Sequence, residues 1–295
     1  MTAMPESLRR YRAEVDSGPA GSTYWTRVVT YLGVVVFTLI VLVPFWWIGN
    51  MSFKTYEQIQ FATSIYFPSP FTWQNYRALL FESLFPYWFR NSFVVATAVT
   101  ALTLVLASLG GYALARLRFP GRKSMASGVL ILYLVPPALL FIPLYRVLSE
   151  LGTINTHWSL VLAYLTFTVP FATWLLIGFF RSIPSELEEA ALIDGASRVQ
   201  AFLRIVLPLA APGIAAAAIF SFTLSWNEFL YALIFIQDES LMTIPVGLNL
   251  LIYGDVFHWG MLMAASVLTT VPVVALYIFV QRGMVQGLTA GAVKG

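Results

Sequence analysis

Residues 28–48 read VVTYLGVVVFTLIVLVPFWWI, a run that carries no charged side chain. A helix needs about 20 apolar residues to cross the hydrocarbon core of a bilayer. The run ends in Phe45, Trp46 and Trp47, and aromatic clusters of this kind are typical of the membrane interface. A secretory signal would have a shorter apolar region and a small-residue cleavage site. The stretch therefore predicts a retained transmembrane helix.

Five more apolar runs of membrane-spanning length follow along the chain. The whole sequence is 59% hydrophobic and 11% charged, whereas a soluble domain has about 25% charged residues. We therefore predict an all-α integral membrane protein with six transmembrane helices. Prolines lie inside several runs and favour kinks there, namely Pro44, Pro136, Pro137, Pro143, Pro170 and Pro272. The five runs cover residues 88–115, 124–149, 158–180, 212–235 and 261–280.

Most basic residues lie in four of the segments outside the apolar runs. Of the 17 Lys and Arg residues, all but Lys54, Arg77, Arg90 and Arg146 lie in the two termini and the segments 116–123 and 181–204. With six spans these segments share one side, so the positive-inside rule predicts an inner, cytoplasmic membrane with both termini in the cytoplasm. No basic stripe indicates nucleic-acid binding. The predicted organisation is a tail over 1–27, a six-helix domain over 28–283 and a tail over 284–295.

Several kinds of chemistry lack the residues they need. There is no cysteine, so disulfides and thiolate metal sites are excluded. The two histidines, His157 and His258, are far apart in sequence, so redox and metal chemistry have few residues to use. No paired carboxylates or Ser–His combination indicates an intramembrane enzyme. The phosphate-binding pattern G-x-x-x-x-G-K-[ST] is also missing, so any use of ATP requires another protein.

The segment 182–210 has a helical design of its own. Ser185 and Glu188 have the spacing of a capping box, which predicts a helix beginning at Ser185. Gly195 is free to adopt a positive φ and would end this helix, and Ser197 would cap a second helix that ends before Pro208. We predict two short helices outside the membrane, shaped for docking.

The spacing within this segment is specific. Glu189-Ala190-Ala191, three residues, Gly195, nine residues and then Ile205-x-Leu207-Pro208 resemble the EAA loop of bacterial ABC-importer permeases. The likeness extends over most of the chain to carbohydrate permeases of the maltose-transporter type, in particular the smaller, six-span subunit. Further matching segments are NMSFK at 50–54, YALAR at 112–116, WNEF at 226–229 and LTAGAVKG at 288–295.

The resemblance implies a type I ABC-importer fold and a function as half of a sugar translocation pathway. The partners it implies are a second, homologous permease, two cytoplasmic ATPases that bind ATP and Mg, and an external solute-binding protein that meets the loop 236–259. The ATPase contacts would come from Glu188, Glu189, Ala190, Ala191, Asp194, Gly195, Ile205, Leu207 and Pro208, and from the tail residues Gly291, Ala292, Val293, Lys294 and Gly295.

Other cargoes and mechanisms stay open at this point. The solute could be a disaccharide or oligosaccharide, a polyol or a glycerol phosphate, because a coupling loop does not identify cargo. A different class, the ion-coupled secondary carrier, would need polar ion-binding groups at membrane depth, for which Glu228 is the one acidic candidate. The loop 236–259 could also be a merely solvated loop.

Glu228 and its neighbours are candidates for the substrate path. A carboxylate at membrane depth is costly unless it is protonated, paired or facing water. Asn227 and Tyr231 are one helical turn apart, so a continuous helix would place them on the same face, and Trp226 adds an aromatic ring for sugar contact. The alternative, which we favour, is that this segment stabilises helix packing or the interface with the companion permease.

Overall fold

A computed structural model describes residues 24–253 and 256–292. The chain divides into two compact units, Met1–Asn50 and Met51–Gly295. The first unit contains most of helix α1, Tyr24–Ser52, which includes the whole predicted run 28–48. The second unit contains every other helix described below. The predicted boundaries at residues 27 and 283 remain predictions.

The long helices of the second unit follow the predicted apolar runs. Runs 88–115, 158–180 and 261–280 each lie within one continuous helix. Together with α1, these are four helices long and apolar enough to cross a membrane, and two bent helix pairs bring the number of spans to as many as six within the described residues. The helices up to the end of the fourth run are α2 Tyr56–Gln60, α3 Gln74–Phe81, α4 Phe85–Arg116, α5 Arg122–Leu134, α6 Pro137–Glu150 and α7 His157–Ser182.

The rest of the chain alternates short helices with two longer ones. A π-helical turn, Phe202–Val206, lies between α9 and α10, and two 3-10 turns, Glu239–Leu241 and Leu248–Leu251, flank α13. The remaining helices are α8 Ser185–Ile193, α9 Arg198–Ala201, α10 Leu207–Leu209, α11 Ala211–Trp226, α12 Leu230–Phe235, α13 Ile244–Gly247 and α14 Trp259–Ala292.

The third predicted span, 124–149, is not one helix. Helices α5 and α6 meet at an angle of 98°, with Val135 and Pro136 in extended conformation between them. A residue before proline is disfavoured in the α region, and Pro136 itself has no N–H to continue the ladder. Pro137 then occupies the first turn of α6, where proline is well tolerated. The other four prolines named above lie inside continuous helices.

The fifth predicted span, 212–235, is also interrupted. Helix α11 ends at Trp226 and α12 begins at Leu230. At its other end α11 meets the α9–α10 stretch at 75°. The predicted run 212–235 therefore contains two helices and not one continuous helix. The break falls at the polar residues Asn227 and Glu228, and hydrogen bonds to the side chain of Glu228 stabilise it.

Three clusters of buried side chains form the core of the second unit. One joins α4, α6, α7 and α12 around Tyr164 and Phe235. A second joins α3, α4, α11 and α14 around Trp88. A third lies between α4, α7 and the π-helical turn, around Phe180. Helices α4 and α7 form the most extensive helix pair, so they are the scaffold on which both candidate sites are built.

The predicted all-α class is confirmed. The described strands are two residues each, β1 Ile252–Tyr253 and β2 Val256–Phe257, and they form an antiparallel hairpin within the 236–259 loop. This hairpin was not predicted.

Candidate functional site

The segment 182–210 folds as two short helical pieces joined at Gly195. Gly195 adopts φ +88°, as predicted. Its N–H donates to the carbonyl of Leu192 at 3.1 Å, and the N–H of Ala196 donates to the carbonyl of Ala191 at 2.9 Å. This pair of bonds is a Schellman motif, which satisfies the last carbonyls of α8 and requires the left-handed residue.

The predicted capping box at Ser185 and Glu188 is wrong. Ser185 is the first residue of α8, its N-cap is Pro184, and the cap position makes no side-chain hydrogen bond. Proline at 184 has no side-chain oxygen to offer as a cap, and the carboxylate of Glu188 is held by side chains of α4. The helix begins close to the predicted residue, but for a different reason.

The second piece is capped as predicted but ends later. Ser197 accepts from the N–H of Gln200, and the Gln200 side chain accepts from the N–H of Ser197, a complete capping box. The prediction that the helix ends before Pro208 is wrong, because the helical path continues to Leu209. The N–H of Leu207 bonds the carbonyl of Phe202 across a π-helical turn, and this wider turn accommodates a proline that would disrupt an α-helix.

Tyr112 and Arg116 of α4 connect this segment to the transmembrane helices. The Tyr112 hydroxyl donates to the buried carboxylate of Glu188. Arg116 donates to the carbonyl of Ile183, and its Nε lies 3.9 Å from Oε2 of Glu188. Residues 112–116 matched the permease family by sequence, but no role was predicted for Tyr112 and Arg116. Their i, i+4 spacing, which places both side chains on one face of α4, is the signal that could have identified them.

Apolar packing reinforces this connection. The Tyr112 ring lies 4.6 Å from the ring of Phe202, centroid to centroid, and meets Phe180 edge-on. Val206 and Ile183 are buried in the same cluster. Because close-packed interiors transmit displacement, a force applied to the 182–210 segment would reach α4 and α7 directly.

The predicted coupling residues fall into three groups by exposure. Glu188 is buried, whereas Ala191, Ile205 and Leu207 are half-buried. The exposed ones, available to a partner protein, are Glu189, Ala190, Asp194, Gly195 and Pro208. Of the predicted tail contacts, Gly291 and Ala292 lie at the end of α14, and Val293, Lys294 and Gly295 lie outside the described residues.

Large apolar side chains are exposed next to them. Ile193 is 86% exposed at the end of α8, and Val199 is 66% exposed at the start of α9. Leu187 and Leu203 are exposed as well. Apolar side chains grouped around small residues and a tight turn are the composition expected of a protein-docking surface.

The candidate substrate-path carboxylate, Glu228, caps helix α12. Its Oε1 accepts from the N–H of Tyr231 at 3.0 Å. Its Oε2 accepts from the N–H of Ala232 at 3.2 Å and from the Tyr164 hydroxyl at 2.8 Å. Both oxygens are thus occupied by donors of the chain itself. Sequence reasoning missed Tyr164, which lies 64 positions away.

The residues around Glu228 do not form one face. Asn227 is exposed and its amide donates to the Thr223 carbonyl at 2.8 Å, whereas Tyr231 is buried in the next helix. The expectation that Asn227 and Tyr231 share a helical face is therefore wrong, because α11 ends between them. Trp226 is also buried, and stacks on Phe222 at 5.5 Å. This geometry agrees with the packing alternative for Trp226 and Tyr231.

The loop 236–247 is attached to α4 and α7 by specific hydrogen bonds. The Trp88 indole donates to the Glu239 carbonyl at 2.8 Å, and the Asn91 amide donates to the carbonyls of Ser240 and Met242. A ring nitrogen of His157 lies 3.1 Å from the Leu241 carbonyl. Although this loop carries exposed acidic residues, it is therefore held firmly to the scaffold.

Asp238 organises the exposed end of this loop. Its Oδ1 accepts from the hydroxyl of Ser240 at 2.7 Å and from the Ser240 N–H at 2.8 Å. These hydrogen bonds to the ionised form lower the pKa of Asp238 below its usual value. The loop thus keeps a negative charge at its surface.

The chain is similar to known membrane-transport proteins. A family described as "binding-protein-dependent transport system inner membrane component" matches residues 104–290. The inner membrane ABC transporter permease protein YcjP of Escherichia coli K12 is 37% identical over 272 residues, covering 92% of this chain and 97% of that protein. The trehalose/maltose transport system permease protein MalG of Thermococcus litoralis is 37% identical over 273 residues, covering 91% and 97%.

Solved structures support the same fold. A chain of a bacterial ABC transporter involved in import of the acidic polysaccharide alginate superposes with a TM-score of 0.73 at 20% identity, over 96% of this chain and 99% of that chain. A chain of the MetNI methionine ABC transporter in an inward-facing conformation gives a TM-score of 0.53 over 71% of this chain. The resemblance to ABC-importer permeases is confirmed. The chain belongs to the family of binding-protein-dependent transport system inner membrane components, and it is a multi-pass membrane protein.

Proposed function

We propose that this permease subunit forms half of the translocation pathway of a sugar importer and pairs with a second, homologous permease. Two ATPase subunits bind ATP and Mg, and one of them docks on the 182–210 segment. A solute-binding protein on the other side of the membrane delivers the sugar. Alternating access is then driven by the ATPases, not by a reaction within this chain.

The observation that carries the proposal is the construction of the 182–210 segment. It presents exposed Ile193 and Val199 around the Gly195 turn, and it is anchored through Glu188 to Tyr112 of a long transmembrane helix. An element used only for packing would not need a surface of this composition. An element that transmits movement needs both a docking surface and a firm attachment.

The charge distribution supports the orientation of the chain. The segments 116–123 and 181–204 contain seven of the 17 Lys and Arg residues, and the positive-inside rule assigns such segments to the cytoplasm. Both termini and the 182–210 segment would then lie on the ATPase side. The loop 236–247 would face the binding protein, and its firm bonds to α4 suit a contact that must pass a signal into the membrane.

The names of relatives support a sugar as cargo. They include a trehalose/maltose permease, a diacetylchitobiose permease and a trehalose permease. A sulfoquinovosyl glycerol permease also occurs among them, so a sugar carrying a glycerol or acidic group is a further candidate. A disaccharide or short oligosaccharide is the cargo we propose.

The test is co-purification from cells that express the chain with its neighbouring genes. Wild-type permease should retain an ATPase, and Glu189→Lys or Gly195→Asp should lose it. Glu186→Lys is the matched control, because Glu186 is an exposed carboxylate of the same helix outside the predicted contact set. Folded permease is measured in parallel by size-exclusion chromatography.

Two outcomes would refute the proposal. One is that no ATPase associates with folded wild-type permease. The other is that Glu186→Lys and Glu189→Lys release the ATPase equally. Once association is established, a sugar-binding screen of the accompanying solute-binding protein tests the cargo separately.

A further inference from the structure

A large apolar groove lies between helices α5 and α7. Its volume is about 930 Å³. Leu130 and Ala126 of α5 form one wall, and Trp174, Gly178 and Phe179 of α7 form the other. Trp174 is 44% exposed, and an added Cβ at Gly178 would meet no atom within 4 Å. The groove is therefore open at Gly178, and the side chains of the described residues do not fill it.

One end of the groove is strongly basic. Arg122 and Lys123 begin α5, and Arg181 lies near the end of α7, so three cations line the same end. Among the described residues, none of the three forms an ion pair. Arg122 uses one nitrogen to bond the Leu117 carbonyl at 3.0 Å, and Lys123 and Arg181 are exposed.

We infer that this groove binds an anionic phospholipid. The phosphate group would lie against Lys123, Arg181 and Arg122, and an acyl chain would run along Leu130, Trp174 and Phe179. The combination of an apolar trough and a basic end matches an amphiphile with a negative head, and basic pockets between transmembrane helices are known to select anionic headgroups. A free phosphate ion would satisfy the charges but leave the apolar trough unfilled.

Lipid binding in this groove is separate from solute transport and does not depend on which solute is carried. A lipid in this position would contact α5 and α7 just where these helices emerge from the membrane. It would also lie close to the connection 116–123, which borders both the groove and the 182–210 segment. Occupancy of this site, and with it the contacts of α5 and α7, would therefore depend on the anionic lipid content of the membrane.

The first experiment removes the charge. The transporter complex is reconstituted in nanodiscs of mixed phosphatidylglycerol and phosphatidylcholine. It is then released from them, and the lipid molecules that stay bound to the protein are counted by native mass spectrometry. A basic side chain near an anionic headgroup contributes roughly a fivefold change in affinity, so Lys123→Gln/Arg181→Gln should bind phosphatidylglycerol about 25-fold more weakly. Arg77→Gln/Arg146→Gln removes the same charge elsewhere and should bind like wild type.

The second experiment fills the trough without changing charge. Gly178→Leu places a side chain in the groove and should reduce retention of phosphatidylglycerol. Gly128→Leu is the matched control, because Gly128 lies on α5 outside the groove and an added Cβ there also meets nothing within 4 Å. Both changes raise helix propensity equally.

Several results would overturn the proposal. One is that wild-type protein retains phosphatidylcholine and phosphatidylglycerol equally. Another is that millimolar inorganic phosphate displaces bound phosphatidylglycerol while Gly178→Leu retains lipid like wild type. A cross-link from Gly178→Cys to the companion permease, in place of lipid, would show that protein fills the groove. Each of these results is distinct from failure of ATPase docking.

Discussion

The hydroxyl of Tyr231 donates a 2.8 Å hydrogen bond to the carbonyl oxygen of Pro137. Tyr231 lies in α12, just after the break that follows Trp226, and Pro137 begins α6, just after the 98° bend. The bond therefore ties together the two interrupted spans, which are 94 positions apart in sequence. Each interruption stabilises the other.

Tyr231→Phe should destabilise the folded protein by about 0.5–1.5 kcal/mol, because it leaves the packing intact and removes this bond alone. The measurement is the thermal midpoint in detergent. Tyr277→Phe, at an exposed position of α14, is the control and should not shift the midpoint. An unchanged midpoint for Tyr231→Phe would show that the bond does not hold the two breaks together.

Glu228→Gln tests the capping role of the membrane-depth carboxylate. Glutamine has one oxygen where Glu228 uses two to accept three bonds, so we expect a loss of about 1–3 kcal/mol. Combined with Tyr164→Phe, the effects should be non-additive by at least about 0.5 kcal/mol, since the two side chains are bonded directly. Normal stability of Glu228→Gln together with an altered ion dependence of transport would instead indicate an ion-coupled carrier.

Tyr112→Phe tests the attachment of the 182–210 segment. The variant leaves the buried Glu188 carboxylate without its hydroxyl donor, a loss of about 1–3 kcal/mol. Because the defect lies where α8 meets α4, the ATPase retained per folded permease should also fall. Tyr133→Phe, at a partly exposed tyrosine of α5, should change neither quantity. Full ATPase retention by a destabilised Tyr112→Phe would limit this bond to a role in folding.

Gly213→Ala tests the close approach of α11 to α7. An added Cβ at Gly213 would lie 2.4 Å from the ring of Phe179, so we expect destabilisation by about 1–3 kcal/mol. Gly128→Ala has free space and should stabilise by up to about 1 kcal/mol through helix propensity. Opposite shifts of the thermal midpoint confirm the packing, whereas two shifts of the same sign contradict it.

Asp238 gives a pH dependence with a definite sign. Its pKa is lowered in the folded protein, first by the Ser240 hydroxyl and then by the Ser240 N–H. The contribution to stability is therefore present above the pKa of the unfolded chain and is lost as pH falls through the lowered value. Ser240→Ala should raise the pKa of Asp238, measured by NMR titration of labelled aspartate. An unchanged pKa would mean that the hydroxyl does not hold the carboxylate.

The positions of the spans were readable from sequence because runs of 20 apolar residues have few alternatives to a membrane helix. The interruptions were harder to read. Pro136 and Pro137 indicated a disturbance but not a 98° bend. The polar pair Asn227 and Glu228 did not by itself indicate that a helix ends at Trp226. At the break, the carboxylate of Glu228 accepts a hydrogen bond from Tyr164, which lies 64 positions away and which no local pattern identifies.

The 182–210 segment was predicted more completely because its signals are local. Gly195 and Ser197 act within a few residues, through a turn and a cap, and both were predicted. Glu188 was misassigned because its spacing from Ser185 matched a local motif, whereas its real partners, Tyr112 and Arg116, are in another helix. The i, i+4 spacing of Tyr112 and Arg116 places them on one helix face, but only the tertiary structure shows that Glu188 is their partner.

The π-helical turn at Phe202–Val206 sets the rotation of the preceding segment, 182–201, relative to the helices that follow the turn. A π turn contains one residue more than an α turn would, and one residue corresponds to a rotation of about 100° about the helix axis. Removal of a single residue from this turn would leave α11 intact but rotate the exposed side chains of Ile193 and Val199 about the helix axis. The orientation of the 182–201 segment relative to α11 therefore depends on the number of residues in this one turn.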